Sequence, residues 1–144
     1  MATLRKIQIT FDCAEPERVA RFWREVLGYV APPTPEGFAT WDEYVSSLPA
    51  SGPGAWSAAV DPSGEGPRFY FQPVPEGKTA KNRVHVDVRA GTGLVGAERL
   101  AVLEAERDRL VALGAVCDVV LYADEENESC IVMRDIEGNE FCLD

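Results

Sequence analysis

Apolar and polar residues alternate along Val84-His85-Val86-Asp87-Val88, and the same alternation occurs near the start of the chain in Ile7-Gln8-Ile9-Thr10-Phe11. A two-residue period is that of a half-buried strand, whose successive side chains point to opposite faces. In matched phase, Gln8 stands where the chain's one histidine, His85, stands later. The first strand is expected from about Leu4 to Phe11. Val19, Phe22, Trp23, Val26 and Leu27 follow at the three- and four-residue spacing of one apolar helix face. Pro16 suits the first helical turn, where its missing N–H costs nothing, and Gly28 suits a left-handed stop. Glu15, just before the proline, is a poorer cap than Asp or Ser. The stretch from Pro32 to Gly54 is rich in Pro and Gly, with a short strand expected at Phe38-Ala39-Thr40-Trp41. Further strands are expected near Trp56 to Val60 and Arg68 to Val74.

After the connector Pro75-Glu76-Gly77-Lys78-Thr79-Ala80-Lys81-Asn82 the order returns. The His85 strand is followed by a helix from about Ala97 to Leu113, and then by strands near Ala115 to Tyr122, Glu128 to Arg134 and Glu140 to Leu143. Leu100, Leu103, Leu110 and Leu113 are expected to form the buried stripe of this helix, with Gly114 ending it. The turns before the last strands also echo each other. Asp61-Pro62-Ser63-Gly64 and Asp135-Ile136-Glu137-Gly138 each pair an Asp that can bond its own backbone with a Gly that accepts positive φ. Both halves therefore read as strand, helix, three strands. A chain of 144 residues is too short for two independent domains of ordinary size. The expectation is a single domain over 1–144, made of modules 1–74 and 82–144 joined by a linker at 75–81.

Charge narrows the partners. Asp and Glu outnumber Lys and Arg by 24 to 14, and the net charge of −10 repels phosphate backbones and acidic membrane surfaces. No nucleic-acid or membrane partner is expected. No apolar run approaches the roughly 20 residues that cross a bilayer, and Met1-Ala2-Thr3-Leu4-Arg5-Lys6 has no apolar signal core behind it, so a cytoplasmic location is expected. Cys13, Cys117, Cys130 and Cys142 form no Cys-x-x-Cys pair and are read as free thiols. Lys78, Lys81 and Arg83 stand out in an acidic chain, but lack the glycine-rich strand-to-helix context of a phosphate loop.

Phe22-Trp23-Arg24-Glu25-Val26-Leu27-Gly28 and Arg134-Asp135-Ile136-Glu137-Gly138-Asn139-Glu140-Phe141 carry a resemblance to the vicinal oxygen chelate superfamily. That superfamily includes glyoxalase I, the bleomycin and fosfomycin resistance proteins and extradiol dioxygenases. Val74-Pro75-Glu76-Gly77-Lys78 with Lys81-Asn82-Arg83-Val84-His85-Val86-Asp87 is similar to its glyoxalase-like domain branch. Ile136 departs from the usual proline. The resemblance covers essentially the whole chain and implies an α+β fold, two tandem βαβββ modules forming a curved mixed sheet around a central cleft, assembled as a homodimer.

If Ile7, Ile9 and Phe11, and likewise Val84, Val86 and Val88, face the helices, strand phase sends alternate residues to the concave side. That side then collects Gln8, Thr10, Arg68, Tyr70, Gln72, His85, Asp87, Glu140 and Cys142. The resemblance implies metal ligands from the first strand of each module, often His or Gln, and from the last, usually Glu. Gln8 and His85 match the first pair, whereas the positions of the expected carboxylates hold Tyr70 and Cys142. The expectation is no cofactor. If a divalent metal binds, its ligands are Gln8, His85 and Glu140, and one histidine is too few for the two-histidine facial triad of iron dioxygenases.

Each candidate has two readings. His85 is either the general base or an imidazole satisfied by neighbours such as Asp87 or Tyr70. Arg68 and Tyr70 orient an anionic or carbonyl-bearing ligand, or bridge strands. Cys142 is a nucleophile or a packing thiol. Trp41 and Trp56 flank the long connection 42–55 and could stack an apolar or aromatic ligand beneath a lid. The first functional expectation is a metal-independent small-molecule-binding protein of the sequestering, resistance-protein kind, whose ligand residues include Gln8, Trp41, Trp56, Arg68, Tyr70 and Cys142. The alternative is a glyoxalase-like lyase or isomerase acting on a small carbonyl or hydroxy compound. There His85 would serve as base, with Glu140 or a weakly held divalent metal assisting.

Overall fold

Each alternating segment becomes the first strand of a small sheet, paired in parallel with a strand from the end of its own module. The computed structural model describes residues 1–144, and the chain divides into two compact units, Met1–Gly77 and Lys78–Asp144. The fold is α+β, built as two tandem modules.

The first unit contains β1 (Gln8–Cys13), α1 (Pro16–Leu27), α2 (Trp41–Ser46), β2 (Ser57–Ala59) and β3 (Arg68–Pro73). Its sheet has the order β1-β3-β2, with β1 parallel and β2 antiparallel to β3. Parallel neighbours require a crossover, and α1 begins it. Val19, Ala20, Phe22, Trp23 and Val26 are buried along α1, and the Trp23 ring lies 5.1 Å from Phe11 and 5.4 Å from Phe69. Gly28 ends α1 at φ 68°, a left-handed conformation that a Cβ would disfavour, and its N–H closes on the Arg24 carbonyl.

Strand β1 starts and ends later than its alternation suggests, at Gln8 and Cys13 rather than near Leu4 and Phe11, and leaves Ile7 70% exposed. Its partner β3 begins at Arg68, opposite Gln8, and Pro67 before it has no N–H with which to extend the ladder. A second correction concerns Phe38-Ala39-Thr40-Trp41. The expected strand is replaced by a bend leading into α2, because Thr40 caps that helix. Its hydroxyl accepts from the Glu43 N–H at 3.1 Å, while the Glu43 carboxylate reaches back to the Ala39 N–H at 2.8 Å. This is the reciprocal logic of a capping box, and Thr40-Trp41-Asp42-Glu43 carries its sequence signature. The connection 42–55 is thus partly helical. Outside its named strands the first unit has an isolated antiparallel bridge between Val30 and Val60.

The α2 segment is held to α1 and β2 by the Glu17 carboxylate. Glu17 Oε2 accepts from the Ser57 hydroxyl and from Trp41 Nε1 at 3.2 Å, and Oε1 accepts from Arg24 at 3.0 Å and Arg21 at 2.9 Å. Arg24 also donates to the Ala58 carbonyl at 2.8 Å. Burial works against ionisation of Glu17, but the hydrogen bonds from Arg24 and Ser57 and the Arg24 charge outweigh it and hold its pKa below the usual 4.5.

The second unit contains β4 (Val86–Val88), α3 (Gly96–Ala112), β5 (Val116–Leu121), β6 (Cys130–Arg134) and β7 (Glu140–Leu143). Its sheet runs β4-β7-β6-β5, with β4 parallel to β7 and the other pairs antiparallel. Here the strand-helix-three-strand order is complete. Strand β4 is shorter than expected. Val84 is 84% exposed instead of packing inward, and His85 precedes the strand rather than lying within it. The buried stripe of α3 also differs. Leu103 and Leu110 are fully buried on Ile131, Met133, Phe141 and Leu143, but Leu113 is 43% exposed and Leu100 only half-buried. Arg99, one turn before Leu103, is buried in their place. Its guanidinium bonds the Gly91 and Ser129 carbonyls and the Asp144 carboxylate, so the buried charge is paired and its donors are used. In the last turn Asp135 Oδ1 accepts from the Glu137 and Asn139 N–H groups at 2.9 Å, and Gly138 takes φ 89°. The Asp61 turn does the same with Ser63 and Gly64.

Two predictions follow from the packing of α2. Replacing Glu17 with Gln should lower unfolding free energy by about 2 kcal/mol at pH 7, because Arg24 is left buried without its anion. Since the folded-state pKa is depressed, this stabilisation is complete above 4.5 and is lost as pH falls through the lower folded value. Denaturant curves of the two proteins should therefore converge in acid. Thr40→Ala should cost about 1 kcal/mol in the same measurement, the usual worth of an N-cap side chain.

Candidate functional site

In the first unit, β1 and β3 turn their alternate residues away from α1. Gln8 stands opposite Arg68, Thr10 opposite Tyr70 and Asp12 opposite Gln72, while Phe69 and Phe71 are buried. Gln8 Oε1 accepts from the Arg68 guanidinium at 2.9 Å, and Gln72 donates to Asp12 at 2.7 Å. The Arg68 guanidinium also lies 5.3 Å from the centre of the Tyr70 ring.

An aromatic cluster adjoins this face. Trp56 is half-buried just before β2, and its indole N–H donates to the Tyr44 hydroxyl at 3.0 Å. Its ring lies edge-on to Trp41 at 5.4 Å and nearly parallel to Tyr70, with centroids 6.1 Å apart and an interplanar angle of 20°. Trp41 does not flank an open lid. It is 7% exposed, its N–H is bonded to Glu17, and the Arg24 guanidinium lies 5.8 Å from its ring. Trp41 is therefore core, and Trp56 and Tyr70 form the half-exposed part of the cluster. Tyr44 was not singled out by the sequence because it falls in a stretch read as a loop. The Thr40-to-Glu43 capping signature was the signal that could have placed it on a helix.

In the second unit, His85 Nε2 lies 3.2 Å from Asp87 Oδ1. Asp87 stands opposite Cys142 across β4 and β7, and the ligand atoms of His85, Asp87 and Cys142 all lie within 4.8 Å of one another. Cys142 pairs with Val132 on β6, so Cys130, two residues before Val132, shares its face. Burial pushes the Cys142 thiol up to about 12, reinforced by Cys130 and the negative charge of Asp87. Burial likewise raises Cys130. A thiol so raised is protonated near neutrality and is a weak nucleophile. All four cysteines are free. The proximity of Cys130 to Cys142 depends on strand register, which no local motif encodes.

Glu140 is engaged elsewhere. Its carboxylate accepts from Lys78 at 3.1 Å and from the Asn82 N–H at 3.0 Å. Burial opposes its ionisation, but the Asn82 N–H, its own N–H and Lys78 together draw its pKa down to about 2. The structure thus brings together Gln8 with Arg68 and Tyr70, Tyr70 with Trp56, and His85 with Asp87 and Cys142. Gln8 lies in the first unit and His85 and Glu140 in the second.

A search of curated proteins found no match. Solved structures show the same fold. A glyoxalase/bleomycin resistance protein/dioxygenase family enzyme from Burkholderia phytofirmans PsJN is 13% identical, with TM-score 0.59 and 94% of each chain covered. A genomically encoded fosfomycin resistance protein from Listeria monocytogenes is 10% identical, with TM-score 0.61, covering 99% of this chain and 92% of that one. A variant of the Listeria protein was solved with Mn(II) and 1S,2S-dihydroxypropylphosphonic acid. A possible glyoxalase from Bacillus cereus is 12% identical, with TM-score 0.59 and 98% of each chain covered. At such identities these neighbours speak for the fold, and it is the family model that speaks for descent. The glyoxalase-like domain model matches residues 8–143, and with its two strand-paired modules the chain belongs to that family.

Proposed function

We propose that this protein binds and sequesters a small aromatic or apolar molecule bearing an anionic or carbonyl group, without needing a hard divalent metal. One observation carries the reading, the near-parallel rings of Trp56, just before β2, and Tyr70 on β3, with the Arg68 guanidinium beside the latter. A flat ligand stacks on such rings, and a guanidinium on the same face receives its polar end. Tyr70 takes the place where the resemblance implies a carboxylate, so the wall offers π surface instead of anionic oxygen. The small-molecule ligand of the Listeria neighbour supports the same class of cargo. We further propose that the protein acts as a cytosolic homodimer. Strand β5 forms a sheet edge with Val116, Val119 and Leu121 exposed, which supports association through that edge.

A second reading is a lyase or isomerase in which His85 is the general base. It rests on the His85–Asp87 contact, since a carboxylate beside an imidazole fixes the orientation of the ring. Glu140, bound to Lys78, would be a poor assistant. Turnover of a small hydroxy-carbonyl compound that disappears in His85→Ala would favour this reading over sequestration.

The leading reading is tested by tryptophan fluorescence of chelator-treated protein titrated with a panel of aromatic carboxylates and phenols. Binding should quench the emission. Tyr70→Ala or Trp56→Ala should weaken it by about tenfold or somewhat less, the equivalent of one aromatic contact of about 0.5–1.5 kcal/mol. Arg68→Ala should reduce selectivity for the anionic members of the panel. Binding that is unaffected by these substitutions, or that vanishes with chelator, would defeat the proposal.

A further inference from the structure

Arg68, Tyr70, Trp56 and Tyr44 form an unbroken row of neighbours, all within the first unit. The Arg68 guanidinium lies 5.3 Å from the Tyr70 ring, the Tyr70 ring 6.1 Å from that of Trp56, and the Trp56 indole N–H donates to the Tyr44 hydroxyl at 3.0 Å. Both ends of the row keep hydrogen-bonding capacity. Gln8 accepts from one nitrogen of Arg68 at 2.9 Å, and the remaining donors of the guanidinium meet no protein acceptor. An indole N–H only donates, so the Tyr44 oxygen is the acceptor in its bond and its own proton is left for another partner. Accepting a hydrogen bond polarises a hydroxyl and makes it the better donor. The phenol is also held in place. Its ring packs on Phe38 at 5.1 Å and Trp41 at 5.3 Å, on a helix capped by Thr40.

We propose that Tyr44 is the specificity-determining donor of this wall, and that the ligand is an aromatic acid of two fused rings with its carboxylate on Arg68 and a carbonyl oxygen on the Tyr44 hydroxyl. The assignment rests on the stacking role of Trp56 and Tyr70 and adds to it a length, a direction and a second polar end. A fused bicycle covers both rings of the wall, whereas a single ring covers one. Charge sets the direction. Arg68 pairs with no carboxylate of the protein, while Glu43 carries its charge one residue from Tyr44. The anionic end is therefore drawn to the arginine, and a neutral acceptor suits the phenol. Tyr44→Phe keeps the ring packing and removes only the donor.

The test is calorimetric titration of the full-length protein with 6-acetyl-2-naphthoate and with 6-isopropyl-2-naphthoate, which has the same shape and no acceptor at its far end. The ratio of the two affinities should shift against the acetyl compound by about three- to tenfold in Tyr44→Phe, the worth of one neutral hydrogen bond. Arg68→Ala should weaken both compounds and leave the ratio as it is. The single-ring 4-acetylbenzoate should bind the unaltered protein more weakly than either. A packing role for Tyr44 would lower both affinities together and keep the ratio constant. A second readout needs no variant: the acetyl carbonyl stretch in the infrared should move to lower frequency in the wild-type complex. A constant ratio, an unshifted stretch, or 4-acetylbenzoate binding as tightly as the bicycle would each overturn the assignment of Tyr44 while leaving the Trp56–Tyr70 platform standing. If none of these acids binds, the platform falls and the assignment falls with it.

Discussion

The parallel pairing of each module's first strand with its last governs everything else in this protein. Because side chains alternate along both strands, one pairing register sets two things together: which residues lie under the helix and which lie on the opposite face. In the first unit it sets Phe11 opposite Phe71 on the buried side and Thr10 opposite Tyr70 on the other. In the second it sets Val88 opposite Leu143 and Asp87 opposite Cys142. A slip of one residue in either pair would send phenylalanine or leucine toward water and a polar side chain under the helix. The apolar core is thus the force that keeps the chemical groups in register.

Each unit also uses an arginine to tie its helix to sheet or loop carbonyls. Arg24 reaches from α1 to the Ala58 carbonyl and meets Glu17, and Arg99 reaches from α3 to Ser129 and Gly91 and meets Asp144. A guanidinium has five N–H donors in a planar fork, enough to satisfy carbonyls and a carboxylate together. In the first unit this network also engages Ser57 and Trp41, so the aromatic cluster rests on a fixed support.

The two modules have diverged on their polar faces more than in their cores. The first offers indole, phenol and guanidinium. The second offers imidazole, carboxylate and thiol. Neither retains the carboxylate that the superfamily resemblance implies at its last strand, and Glu140, the acidic residue two positions from Cys142, is neutralised locally by Lys78.

Much of this was legible in the chain. The α1 boundaries at Pro16 and Gly28, β7 from Glu140 to Leu143, the paired Asp-Gly turns and the alternation that separates Phe69 and Phe71 from Arg68 and Tyr70 follow from local rules of φ, capping and period. These act within a few residues, so sequence alone determined them. Other features were set by partners far away in the chain. Ile7 and Val84 continue an alternating pattern but find no strand to pair with, and Arg99 displaces leucine from the buried stripe because Asp144 and two carbonyls are there to receive it. Trp41 became core because Glu17 and Arg24 lie beneath it. The meeting of Cys130 with Cys142 depends on the antiparallel register of β6 and β7. A hydrogen bond or ladder between residues distant in sequence has no local signature, and only the tertiary structure could decide which thiol, ring or carboxylate would meet which.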